Sequence, residues 1–108
     1  MKNSLTVLGD VLRSVSELPW NHALYMPHGV DWTASTACAV LDPDDFENEA
    51  NPERPQFAIE HSLHYALGIQ VVQSIVENAR LQRPDATVPD LVEAFIFYYD
   101  NDGYIDWP

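Results

Sequence analysis

Seven residues near the end of the chain have types that could bind a metal ion. They read DNDGYID at positions 100–106 and share residue types with an EF-hand calcium loop. Such a loop needs oxygen ligands at its positions 1, 3 and 5, Gly at position 6 and a bidentate Glu at position 12. With Gly103 at position 6, Tyr98 stands at position 1 and the sequence stops before position 12. Because two ligands are missing, the sequence predicts no calcium site here.

Histidines and the single cysteine form a second set of possible metal ligands. His61 and His64 lie three residues apart, beside Glu60. His22 and His28 flank an expected strand. A zinc site needs three or four ligands that converge, and no spacing brings the cysteine to a histidine pair. The sequence therefore predicts no metal site and no cofactor.

The residues of nucleophilic catalysis are present, but no arrangement typical of it. The chain has no Gly-x-Ser-x-Gly turn, and its four scattered glycines form no phosphate-binding loop. Cys38 lies in an apolar stretch, where a thiol usually serves as packing. Carboxylates are so abundant that they single out no acid–base pair. We therefore predict no catalytic residue and expect that the protein is not an enzyme.

The charge of the chain is far from neutral, because 17 acids and 5 bases give a net charge of −12. Residues 31–60 hold eight acids and one base, and residues 85–106 hold six acids and no base. Such a field repels nucleic acid and anionic lipid and attracts basic proteins. We expect a protein partner, and neither nucleic acid nor a membrane. The alternative is that the charge serves solubility alone.

The acidic segment after the last helix is the first candidate for binding that partner. Asp100 and Asp102 oppose the dipole at a helix C-terminus, and no Lys or Arg follows Arg83 to offset them. Aromatic rings beside carboxylates suit the capture of Lys and Arg side chains, although a C-terminal Trp can also fold back onto the protein. The acidic stretch 42–55, an expected loop, supplies further candidates. The predicted partner-binding residues are Asp42, Asp44, Asp45, Glu47, Glu49, Asp100, Asp102, Tyr104, Asp106 and Trp107.

Helices are predicted where apolar residues recur at helical intervals. Residues 4–18 and 69–83 show this spacing. A third helix is expected to start at Thr87, whose side chain can form a capping box with Asp90. Its stretch 91–99 is apolar around most of the circumference, so we expect neighbouring elements to bury it.

Strands are predicted in the first half of the chain. Residues 23–26, closed by Pro27, are expected to form an edge strand that pairs with residues 34–41 in an antiparallel hairpin. Residues 56–62 are expected to form a short helix. Residues 65–68 look like a joint, since Gly68 weakens a continuous helix there.

These elements predict one α+β domain that spans residues 1–108 and is mainly helical. It has an N-terminal helix, a small antiparallel β-hairpin and then two or three C-terminal helices. One cysteine excludes an internal disulfide and suits a reducing compartment. The first residues lack the apolar core of a signal peptide, and no apolar run is long enough to span a membrane. We therefore expect a cytoplasmic protein.

Three stretches resemble a family of small acidic bacterial proteins. They are VLDPDD at 40–45, IVENA at 75–79 followed by Gln82, and LVEAFIFYYDNDGYI at 91–105. Some members of that family look like immunity proteins of contact-dependent growth inhibition and related polymorphic toxin systems. The resemblance implies a protein that binds a toxin domain and blocks its active site or substrate groove. It implies no catalytic residue.

Three functions follow from the sequence. We favour an immunity protein that neutralises a cognate, basic, nuclease-type toxin domain through an acidic surface, because a nuclease must present a basic groove to phosphate. The first alternative is a nucleic-acid mimic that inhibits a DNA- or RNA-binding protein. The second is a small structural or regulatory subunit.

Overall fold

One antiparallel sheet and four helices make up the described part of the chain. A computed structural model describes residues 4–42, 44 and 55–108. The strands are β1 (Thr6–Val7), β2 (Ala23–Pro27), β3 (Ala37–Leu41) and β4 (Leu63–Gly68), and their order in the sheet is β1-β3-β2-β4. The helices are α1 (Leu8–Ser14), α2 (Gln56–Glu60), α3 (Ile69–Gln82) and α4 (Val88–Asn101), with a 3-10 turn at Val15–Glu17 after α1. The predicted α+β class, its β2–β3 hairpin and the helices at α2, α3 and α4 are confirmed.

The sheet packs against apolar side chains on both faces. Leu24 and Met26 of β2 belong to the larger cluster, which they share with residues of α1, α3 and α4. Ala23 and Tyr25, which alternate with them, belong to a smaller cluster that contains Ala58 of α2. Since successive side chains of a strand point to opposite faces, burial of both faces requires an apolar residue at every position. This explains the continuous apolar run of β2.

The prediction that residues 23–26 form an edge strand is wrong. β2 lies between β3 and β4 and pairs with both. Pro27 suggested an edge because proline lacks the N–H that a central strand donates. It occupies the last position of β2, where a missing donor disturbs the ladder least.

The prediction of a joint at residues 65–68 is also wrong, because these residues belong to β4. This strand pairs with β2 in a register that joins Leu24 to Leu67 and Tyr25 to Tyr65, so a bulge places Ala66 between them. Gly68 does mark a boundary, since it is the N-cap residue of α3. The pairing partner is distant in sequence, and a local pattern contains no information about it. The small hairpin is consequently part of a four-stranded sheet.

The first helix is shorter than the predicted span 4–18. β1 pairs with β3 first, and α1 starts at Leu8 without a side-chain cap. The N–H groups of Leu8 and Gly9 instead donate to the carbonyl oxygens of Thr36 and Ala34, at 3.0 and 2.9 Å. A Cβ atom at Gly9 would lie 3.1 Å from the Ala34 oxygen, so glycine permits this close approach.

The start of α4 confirms the predicted capping box. The Asp90 N–H donates to Thr87 Oγ1 at 3.3 Å, and the Thr87 N–H donates to Asp90 Oδ2 at 3.1 Å. The expectation that neighbouring elements bury the stretch 91–99 holds for one side of the helix only. Leu91, Val92 and Ala94 are buried, whereas Phe97 and Tyr99 are exposed. Phe95 is fully buried.

No helix of the described residues is long and apolar enough to cross a membrane.

We predict that Cys38 is inert in the folded protein. The side chain is fully buried, and burial, with a smaller contribution from the Asp10 carboxylate, raises the pKa of its thiol from 9.0 to about 12. At pH 8 this change lowers the thiolate fraction by roughly a thousandfold. Alkylation by iodoacetamide, followed by mass spectrometry, should be negligible in the native protein and complete in guanidinium chloride. Equal rates in the two conditions would contradict the prediction.

Candidate partner-binding surface

A recess lies between α4 and the loop that follows β2. Its volume is about 440 Å³. The residues that line it are Val30, Asp31, Trp32, Ile96, Tyr99 and Asp100. We call it the acidic recess, because its two charged residues are both aspartates.

The aromatic wall of the acidic recess is held in place by contacts within the protein. The Trp32 Nε1–H donates to the Pro27 carbonyl oxygen at 2.7 Å. The Trp32 ring lies edge-on to Tyr99, with 4.8 Å between ring centroids, and 5.7 Å from the ring of the buried Phe95. A ring fixed in this way loses little freedom when a ligand binds beside it.

The segment after Trp32 is a closed turn. The Thr33 N–H donates to Thr36 Oγ1 at 2.7 Å, and the Thr36 N–H donates back to the Thr33 oxygen at 3.1 Å. The Ser35 N–H donates to Thr33 Oγ1 at 3.2 Å. These local bonds, together with those to α1, fix the chain that carries the loop side of the acidic recess.

The negative charge of the acidic recess is not offset within the described parts of the chain. Asp31 and Asp100 are exposed, and neither takes part in a described ion pair. The bases in the described parts of the chain are three arginines. Arg13 pairs with Asp10, Arg83 pairs with Asp90, and the third is Arg80. Arg80 lines a different hollow, between α3 and the 3-10 turn.

A second hollow adjoins the acidic recess along α4. Ile96 and Asp100 line both, and the second also contains Glu93 and Phe97. Residues 93, 96 and 100 follow a helical spacing, so they lie on the same side of α4. The exposed side of this helix therefore combines carboxylates with apolar and aromatic surface.

The predicted residues at the end of α4 are exposed around a left-handed turn. Asp102 caps the helix with a φ of 54°, and its N–H donates to the Tyr98 oxygen at 2.7 Å. The Tyr104 ring is 47% exposed and lies 5.4 Å from the ring of Tyr98. Asp106 is exposed as well. These residues and Asp100 thus lie close together along the chain, in the segment 100–106.

Trp107 folds back onto the protein, as the alternative interpretation of the sequence expected. Its ring lies 4.1 Å from the guanidinium carbon of Arg83, and its Nε1–H donates to Glu93 Oε1 at 3.1 Å. The Gln82 amide donates to the Ile105 oxygen at 2.7 Å and accepts from the Trp107 N–H at 3.0 Å. The tail, residues 102–108, is therefore bound to both α3 and α4, and Trp107 is partly buried.

The other group of predicted residues lies elsewhere or outside the described residues. Asp42 follows β3, accepts a hydrogen bond from the Asp44 N–H at 3.0 Å and lies 3.7 Å from His22 Nε2. None of the described hydrogen bonds and ion pairs joins these aspartates to α4. Asp45, Glu47 and Glu49 lie outside the described residues, as does most of the expected loop 42–55.

The described residues contain no group of three His, Cys, Asp or Glu side chains that could hold a metal ion. The His28 and His64 rings stack at 4.1 Å between centroids. Cys38 belongs to the larger apolar cluster.

Sequence reasoning missed most of the acidic recess. Asp31 and Trp32 were separated from Asp100 by most of the chain, and no local pattern linked them. For Glu93 a signal existed, because it lies seven residues before Asp100 and therefore on the same side of a helix.

We predict that Gln82 holds the tail in place. The change Gln82→Ala removes both hydrogen bonds to the tail and a third to Asn78 Oδ1 on the same helix. It should lower the free energy of unfolding by about 1 kcal/mol, since each such bond contributes roughly 0.5–1.5 kcal/mol and the site is exposed. It should also accelerate hydrogen exchange of the Trp107 amide. Urea unfolding and NMR measure the two effects. Gln70→Ala is the matched control, because Gln70 is exposed on the same helix; an identical response of the two variants would refute the assignment.

Comparison with known proteins gives the family and no activity. No curated protein and no solved structure matches the chain. Residues 5–107, nearly the whole sequence, match the family DUF7716, which is described as a domain of unknown function. The chain therefore belongs to the DUF7716 family.

Proposed function

We propose that the protein is a cytoplasmic bacterial immunity protein that binds and neutralises a cognate toxin domain, of the basic, nuclease type, without catalysis. The observation that carries this proposal is the unpaired charge on the exposed side of α4 and in the tail. Asp100, Asp102 and Asp106 take part in no described ion pair, and Asp100 stands beside aromatic surface. The resemblance of 91–105 to immunity proteins supports the same function.

The position of these charges favours a binding role over a role in stability. Carboxylates at a helix C-terminus oppose the helix dipole and cost roughly 0.3–1 kcal/mol each at low salt. A left-handed backbone at Asp102 adds to the cost, because side chains with a Cβ rarely adopt it. Gains from a basic partner can offset such costs, whereas solubility could be served by acids placed elsewhere.

An acidic surface also suits the speed that immunity requires. Complementary charge steers two proteins together and raises the association rate constant well above that of a neutral pair. A nuclease needs a basic groove for its phosphate substrate, so the same groove attracts an acidic inhibitor. Occupation of that groove would block the substrate without any chemistry.

The direct test is protection from a toxin, which the proposal expects the neighbouring reading frame to encode as the C-terminal domain of a large secreted protein. That domain is expressed from an inducible promoter, with or without this chain. We expect growth to stop when the toxin domain is expressed alone and to continue when this chain is also expressed. The two proteins should form a stoichiometric complex on size-exclusion chromatography. Arrest in both cultures, with no complex, would reject the immunity function.

We predict opposite effects on stability and binding when the acids at the end of α4 and in the tail are neutralised. The triple variant Asp100→Asn, Asp102→Asn and Asp106→Asn should have an equal or higher melting temperature, since the unfavourable interaction of Asp100 and Asp102 with the helix dipole is relieved. Its affinity for the toxin should fall by about 1–3 kcal/mol, as expected for charge pairs at an interface. Differential scanning calorimetry and isothermal titration measure the two on one preparation.

A control with the same change of charge separates a local contact from general attraction. Glu17→Gln, Glu77→Gln and Asp85→Asn neutralise three other exposed acids. This variant should lose little affinity. If the two triple variants weaken binding equally, the tail is not the contact; if the first loses stability instead, its acids hold the fold.

We predict that the association rate with the toxin depends strongly on salt. The net charge of −12 attracts a basic partner over a distance that shrinks to about 8 Å at physiological ionic strength. Stopped-flow association at low and high salt should show a steep decrease, while dissociation changes less. An association rate that ignores ionic strength would leave the charges with a role in solubility only.

A further inference from the structure

The protein already contains one contact between a guanidinium group and a tryptophan ring. Arg83 lies 4.1 Å from the centre of the Trp107 ring, and its Nη1 lies 3.4 Å from Asp90 Oδ1. The cation thus has an aromatic face on one side and a carboxylate on the other. This arrangement binds Arg well, because its flat guanidinium stacks on rings and donates several hydrogen bonds at once.

The acidic recess presents the same two kinds of group without a described cation. Trp32 and Tyr99 supply its aromatic surface, and Asp31 and Asp100 supply its carboxylates. Arg83, the base nearest in sequence to α4, is bound to the tail. None of the described arginines lines the acidic recess.

We propose that the acidic recess binds one arginine side chain of a basic protein partner. The inference rests on the proposed function and names the chemistry of its contact. Two carboxylates complement the positive charge, and the fixed ring of Trp32 gives the guanidinium a flat surface to stack on. Arginine fits this site better than lysine, since an ammonium group is more strongly hydrated and does not stack.

The test needs no toxin, because a small arginine derivative is the probe. N-acetyl-arginine amide is titrated into the folded protein at constant ionic strength, and the three indole N–H resonances are followed by NMR. We expect a saturable shift of the Trp32 resonance. Trp20, which is 66% exposed, and Trp107, which already contacts Arg83, are internal controls and should move little. N-acetyl-citrulline amide has nearly the same shape without the charge and should leave Trp32 unshifted.

Variants then locate the site. The double variant Asp31→Asn, Asp100→Asn should lower the affinity for the probe roughly tenfold or more, because it removes both carboxylates and leaves the Trp32 ring. Glu77→Gln with Asp85→Asn changes the net charge equally, and binding should stay within about twofold. Far-UV circular dichroism verifies that both pairs fold. The proposal is overturned if citrulline shifts Trp32 as arginine does, if arginine shifts no indole, or if the two double variants respond alike.

The arginine site and the immunity function can be rejected separately. Protection of growth without arginine binding would remove the arginine site and leave the immunity function. Arginine binding without protection would remove the toxin as partner and leave a site for an arginine of another basic protein.

Discussion

Burial of the Phe95 side chain in the core fixes the orientation of α4 about its own axis. The residue is fully buried, and together with Leu91 it holds one side of the helix against α1 and α3. Residues 93, 97 and 100 then necessarily face outward, whatever their type. The Trp32 ring packs against Phe95 from the loop side, so the position of the acidic recess follows from the packing of the core.

The stability of this fold comes from apolar contacts, and its charges contribute little to it. Two apolar clusters cover the two faces of the sheet, and every buried residue among those described is apolar or small. The described ion pairs of Arg13 and Arg83 are partly or largely exposed, and such pairs are typically worth less than 1 kcal/mol. Acids can therefore vary on the surface without a large effect on folding.

Local patterns predicted the helices and the central hairpin well, because hydrophobic spacing and caps act within a few residues. Thr87 and Asp90 are an example, since both partners of the capping box lie in one turn. The pairing of β4 with β2, and of β1 with β3, depends on contacts between distant segments and left no comparable trace. The same holds for the candidate surface. The position of Asp100 at a helix C-terminus predicted it as a binding residue, but no local pattern predicted its neighbours Asp31 and Trp32. Trp107 shows that one aromatic residue in an acidic tail can serve packing as easily as binding.

The start of α1 has a consequence for how the family can vary in length. Its first two N–H groups are bonded to carbonyl oxygens at positions 34 and 36, and Gly9 allows the two backbones to approach. Surface loops generally tolerate insertions, but an extra residue between these positions would withdraw acceptors from a helix that has no side-chain cap. The turn 33–36 and the N-terminal helix are thus constrained to evolve together. Insertions and deletions should concentrate in segments that support no second element.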